Sequence, residues 1–124
     1  MSAERKARIF KRESMPFTTA KTATGDTSIA RVINGANSDH IGAGIEVLEK
    51  VSIEWTVTYD EVLFIHEGEM TIATGGECWQ CKAGDIIWLP KGTTLTYDAS
   101  KGRCAYFYAL YPVDWAKRQG IAEP

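Results

Sequence analysis

The chain has 124 residues, enough to bury one hydrophobic core and short enough to read as a single domain. Apolar residues make up 44% and charged residues 24%, and 14 Lys+Arg against 16 Asp+Glu leave a formal net charge of -2. That balance offers no basic surplus for a phosphate backbone, so no nucleic-acid partner is expected. The start, Met-Ser-Ala-Glu-Arg-Lys-Ala-Arg, lacks the apolar run of a secretory signal, and runs such as Val62-Leu-Phe-Ile65 are far too short to cross a bilayer. A cytoplasmic location and no membrane partner follow as expectations.

Residues 1–28 read as an N-terminal arm and irregular connection. Five of the 14 Lys+Arg fall within residues 5–12, diluted by Glu4 and Glu13, which suits a solvated charged arm. One short strand is expected there, at 8–10. The stretch from Met15 to Thr27 is rich in Thr, Ala and Gly. From residue 29 the pattern is all-β: short runs of β-branched and aromatic residues, punctuated by Gly, Asn, Asp and Pro. Strands are expected at 29–33, 44–48, 52–58, 61–66, 69–73, 77–81, 86–89, 93–97 and 104–111. The links between them are short, among them Glu67-Gly68, Thr74-Gly-Gly76, Lys82-Ala-Gly-Asp85 and Pro90-Lys-Gly92, and suit hairpins of an antiparallel sandwich or barrel. Residues 113–119 read as one or two helical turns capped by Asp114, and 116–124 as a tail. The body of the domain is therefore 29–115, and no repeat of fixed period appears.

Three cysteines without a secretory signal read as free thiols. Cys78-Trp-Gln-Cys81 has the CxxC spacing, but its context is a strand after the Gly75-Gly76 turn. Strand residues three apart face opposite ways, so the two sulfurs should not converge. Cys104 reads as a core residue.

Two segments carry more information. Trp55-Thr-Val-Thr-Tyr-Asp-Glu61 followed by Glu67-Gly-Glu69, and Gly84-Asp-Ile-Ile-Trp-Leu-Pro-Lys-Gly92, resemble the two signature motifs of the cupin superfamily. The first motif usually runs His-x-His-x3-Glu; Glu61 matches, while Trp55 and Val57 occupy the histidine positions. The second runs Gly-x5-Pro-x-Gly-x2-His; Gly84, Pro90 and Gly92 match, and Leu95 replaces the histidine. Gly42-Ala-Gly44, Tyr59-Asp-Glu61, His66-Glu-Gly-Glu69, Leu89-Pro-Lys-Gly92 and Tyr111-Pro-Val-Asp-Trp115 extend the match to the ethanolamine-utilisation EutQ-type cupins, over roughly residues 42–115. This resemblance implies a single-domain cupin, a double-stranded β-helix or jelly-roll barrel, and a homodimer. It implies a link to ethanolamine or acetate metabolism, and lost histidines as a normal feature of the branch.

In the cupin pattern Glu61 points into the barrel, where a carboxylate needs a cation or hydrogen bonds to offset desolvation. Strand alternation puts Trp55, Val57 and Tyr59 on one side, pairs Leu95 with Tyr97, and pairs Tyr106 with Tyr108. Tryptophan, valine and leucine are not metal donors, so neither metal nor cofactor is expected. A rebuilt metal site would have to draw on Glu61, Glu46, His40 or His66. His66 lies five positions from Glu61 and reads as a surface or dimer contact, and His40 as solvated. Trp55, Tyr59, Trp88, Tyr97, Tyr106 and Tyr108 could furnish a partial aromatic cage, and a carboxylate beside aromatic faces suits a small ammonium ligand. The reading is a small-molecule-binding cupin, its ligand an amine, with Glu61 central and Trp55, Tyr59, Tyr97, Tyr106 and Tyr108 around it. As an enzyme it would use Glu61 as general acid or base and Tyr59 or Tyr97 as donor. Two alternatives stand beside this: a metal-dependent enzyme with an unorthodox ligand set, and a non-catalytic dimeric scaffold or regulatory protein. No phosphate-binding Gly-x4-Gly-Lys-Ser/Thr loop is present.

Overall fold

The computed structural model describes residues 6–120. A single 3-10 turn, Arg12–Ser14, precedes nine strands: β1 (Thr18–Lys21), β2 (Asp26–Ile33), β3 (Gly42–Glu49), β4 (Ser52–Thr56), β5 (Asp60–Thr74), β6 (Glu77–Lys82), β7 (Ile86–Leu89), β8 (Thr94–Asp98) and β9 (Arg103–Tyr111). One helical turn, α1 (Trp115–Arg118), follows. All pairings are antiparallel. One sheet runs β1-β2-β3-β9-β5-β7 and the other β4-β8-β5-β6. The all-β barrel expected from the sequence is therefore present. Among the described residues no helix is long and apolar enough to cross a membrane.

β5 belongs to both sheets. Its first half pairs with β7 and β9, its second half with β6 and β8. The sequence suggested two strands split by a Glu67-Gly68 link, but the chain does not turn back there. The register against β9 shifts between Ile65 and Glu67, and Gly68 takes φ +77. The glycine's left-handed conformation bends one strand through a bulge instead of closing a hairpin. A side chain at Gly68 would meet the Arg103 carbonyl oxygen at 2.0 Å.

Alternation along β5 sends Glu61, Leu63 and Ile65 inward, and Met70 and Ile72 inward beyond the bulge. They pack with Leu48, Val57, Leu89, Leu95 and Tyr106 in one cluster. Each such large apolar side chain contributes about 1.5–3 kcal/mol on burial. Val57 and Leu95, standing where cupin histidines usually stand, are fully buried members of it.

Three expectations fail on the N-terminal and C-terminal segments. Residues 8–10 form no strand and pair with none; the Arg8 guanidinium lies 4.7 Å from the centre of the Phe10 ring instead. The supposedly irregular 15–28 stretch contains β1 and the start of β2, joined in a hairpin whose Thr22 side chain bonds the Gly25 backbone. Asp114 occupies the N-cap position of α1 but makes no capping bond; its Oδ1 accepts from Arg118 Nε at 2.6 Å. Cys78 is exposed and Cys81 buried, so the CxxC sulfurs part as expected; Cys104 is also buried, and all three are free thiols.

Candidate functional site

A cavity of about 240 Å³ opens between the two sheets. Its wall includes Glu61 from β5, Glu46 from β3, Tyr97 from β8, and Tyr106 and Tyr108 from β9. Tyr59 enters from the bend before β5, Trp55 from β4, Arg31 from β2, and Trp115 from α1. All six residues named from the sequence as the site, Glu61, Trp55, Tyr59, Tyr97, Tyr106 and Tyr108, meet here. Strand parity explains most of this convergence, because Tyr106 and Tyr108 project from the same face of β9 and Leu95 and Tyr97 from the same face of β8.

Two expected positions differ. Trp55 is 43% exposed and forms the rim, not the interior. Its Nε1 donates to the Tyr59 hydroxyl at 3.0 Å, which fixes both rings at the mouth. Trp88 takes no part: it pairs with Val62 on the outer surface of the first sheet and is 58% exposed, because Ile87 and Leu89 take the inward positions of β7.

Three lining residues, Glu46, Arg31 and Trp115, were not placed in the binding site by the sequence, and Gly44 supports the site from outside the lining. Glu46 was weighed only as a metal ligand. It faces Tyr106 across β3 and β9, and the Tyr106 hydroxyl donates to Glu46 Oε1. Arg31 lies near enough for its charge to favour the Glu46 anion. Trp115 packs against Tyr59 with ring centres 4.7 Å apart, closing the cavity from the C-terminal side. Gly44 provides room: a Cβ there would lie 2.0 Å from the Ala30 carbonyl oxygen and 3.1 Å from the Tyr108 hydroxyl. Signals for these contacts are absent from local patterning, since each depends on which strands become neighbours.

The electrostatics follow from burial. Glu61 is only 7% exposed, and desolvation together with the nearby Glu46 charge pushes its carboxyl up to about 8. Glu46 is also raised, by burial, against the opposing pull of the Tyr106 hydrogen bond and the Arg31 charge. Burial raises the phenols of Tyr59, Tyr97 and Tyr106 well above their usual range and that of Tyr108 to about 12. The tyrosines are therefore neutral hydrogen-bonding groups at physiological pH. Tyr97 and Tyr106 stack with their rings nearly parallel, 6.3 Å between centres. The cavity thus combines two carboxyl groups, neutral phenols and aromatic surface.

The metal of a usual cupin does not fit this set. Trp55, Val57 and Leu95 supply no donor, and among the described residues no three His, Cys, Asp or Glu side chains come together as a metal-holding group. The rebuilt ligand set is not assembled either. Glu46 and Glu61 share the cavity, but His66 and His40 are both exposed and line none of it.

Comparison with known proteins adds the family. A family model described as "Ethanolamine utilisation protein EutQ" matches residues 8–117. The acetate kinase EutQ of Clostridioides difficile (strain 630) is 27% identical over 81 residues, which cover 65% of this chain and 51% of that protein. The chain thus spans about half the length of this curated relative. The solved structure of the Clostridium difficile EutQ protein superimposes with a TM-score of 0.69 at 23% identity, over 77% of this chain and 69% of that one. A cupin 2 conserved barrel domain protein from Rhodopseudomonas palustris gives a TM-score of 0.68 at 15% identity, over 80% and 72% of the two chains. These structural likenesses show the cupin barrel fold.

Proposed function

The chain belongs to the ethanolamine utilisation protein EutQ family, and we propose that it binds a small primary amine in the barrel cavity. The observation that carries this reading is that Glu46 and Glu61 line one small cavity together with the aromatic side chains of Tyr59, Tyr97, Tyr106 and Trp115. A carboxylate gives an ammonium a charge-assisted hydrogen bond, and an aromatic face adds about 0.5–2 kcal/mol of cation–π attraction. The volume of about 240 Å³ suits a ligand of a few heavy atoms. The family name supports an amine of ethanolamine's size.

Thermal melts test this. A binder gains about 2.7 kcal/mol at a hundredfold excess of ligand over Kd. Ethanolamine should raise the Tm, ethylene glycol of the same size should not, and Glu61→Gln should weaken the effect while leaving the fold intact. If no small amine, carboxylate or phosphate moves the Tm, the scaffold reading replaces this one.

Glu61 favours a second reading, general acid–base catalysis, because a carboxyl that titrates at about 8 can give and take a proton near neutrality. Consumption of ethanolamine or acetyl phosphate, followed by NMR and lost in Glu61→Gln, would support it. The acetate kinase name of the relative gives that assay its substrates; the chain covers only half of the relative, and its sequence has no phosphate-binding loop. The reading also takes the chain as a cytoplasmic homodimer. The apolar outer surface of the first sheet, where Phe64, Ile86, Trp88 and Phe107 are exposed, supports a second copy as the partner. Sedimentation velocity on the parent and on Trp88→Glu tests that.

A further inference from the structure

We infer that Glu46 and Glu61 share one proton, carried by Glu61, and that an incoming primary ammonium displaces it, so that ligand binding and proton release are one event. This deepens the amine reading above and rests on it.

The two carboxyl groups are not equivalent. Glu46 accepts from the Tyr106 hydroxyl and feels the charge of the exposed Arg31. Both favour its anion. Glu61, among the described residues, has neither. The groups that face it are Glu46 from β3, Tyr59 from the bend before β5, Tyr97 from β8, and Tyr106 and Tyr108 from β9; the first is a like charge and the others are neutral phenols. Two carboxylates in one desolvated site cannot both stay ionised without a compensating cation. Burial raises both carboxyl groups, and the Tyr106 bond and the Arg31 charge offset it only at Glu46, so Glu46 is the more acidic of the two and Glu61 the proton holder.

Charge counting gives the rest. At rest Glu61 is neutral and the charge on Glu46 is partly offset by the exposed Arg31. An ammonium adds one positive charge. The cavity returns to its resting charge when the Glu61 O–H bond breaks, its proton passes to solvent, and the resulting carboxylate accepts an N–H of the ligand. A neutral isostere has no reason to expel the proton. An anionic ligand would have the opposite sign, drawing Arg31 from Glu46 and bringing a proton in. The pair thus selects for cations, with a proton count that reports on the class of ligand.

With Glu61 titrating at about 8, binding at pH 7 should release about 0.9 proton per ligand, and apparent affinity should rise about fivefold from pH 7 to pH 8. Isothermal titration of the full chain with ethanolamine, at pH 7 in phosphate, PIPES and HEPES, none of them a primary amine, measures this directly. The slope of binding heat against buffer ionisation enthalpy is the number of protons exchanged. The inference expects release of close to one proton in the parent and none in Glu61→Gln, which can still bind weakly through Glu46. Binding without proton exchange in the parent overturns the shared proton but leaves the amine site standing. Absence of binding in both chains overturns the amine site and the inference with it. Uptake of a proton, or binding of acetate in preference to ethanolamine, overturns the cationic class.

Discussion

Replacing Glu61 by Gln should make the protein more stable at pH 7.5 relative to pH 5.5 than the parent is. Glu61 titrates at about 8 in the folded chain against 4.5 ordinarily. The unfolded chain therefore gives up this proton at lower pH than the folded one, and between the two values stability falls as pH rises. Integrated from pH 5.5 to 7.5, Glu61 alone removes about 2.5 kcal/mol. Glutamine fills nearly the same volume and has no proton to lose. The variant also frees Glu46 from its like-charged neighbour, which acts in the same direction. Urea unfolding of both chains at the two pH values gives the double difference, with similar m-values expected because the surface exposed on unfolding is nearly unchanged. Parallel pH profiles would refute the reasoning, and would mean that Glu61 is ionised and solvated in the folded protein.

Tyr106→Phe removes the donor to Glu46 and should cost about 1–3 kcal/mol by leaving a desolvated acceptor unpaired; a urea midpoint at pH 7 equal to the parent's would contradict the bond. Gly44→Ala forces a Cβ to within 2.0 Å of the Ala30 carbonyl oxygen. Because that neighbour is backbone and cannot swing away, overpacking of about 1–3 kcal/mol is expected, read as a lower Tm.

The sequence carried the strands of the barrel body well because alternation survives wherever one face of a sheet is buried. Ile86–Leu89 was located to the residue, and the parity of Tyr106 and Tyr108 put both in the cavity. It carried β1 poorly. Thr-Thr-Ala-Lys is an exposed edge strand with no buried residue, so it leaves no hydrophobic pattern. Gly68 was read as a hairpin because a positive-φ glycine serves a bulge and a turn equally well. In the site, the aromatic residues and Glu61 were legible from motif and parity. The partnership of Glu46 with Tyr106 was not, because it spans 60 positions and exists only once β3 lies beside β9. Trp88 shows the converse. Its aromatic character fitted a cage, yet its place one position before Leu89 turns it outward.

β5 carries Glu61 at one end and, past its bulge, Ile72 in the other sheet, and it touches β6, β7, β8 and β9. The strand that displays the acid is therefore also the strand that ties the barrel together. Changes to its inward apolar residues, Leu63, Ile65, Met70 and Ile72, would loosen both sheets at once. Other parts of the wall stand on peripheral elements: Trp55 on the β4 rim, Arg31 on β2, and Trp115 on the short C-terminal turn. A change of side chain at these three positions leaves every pairing of β5 in place.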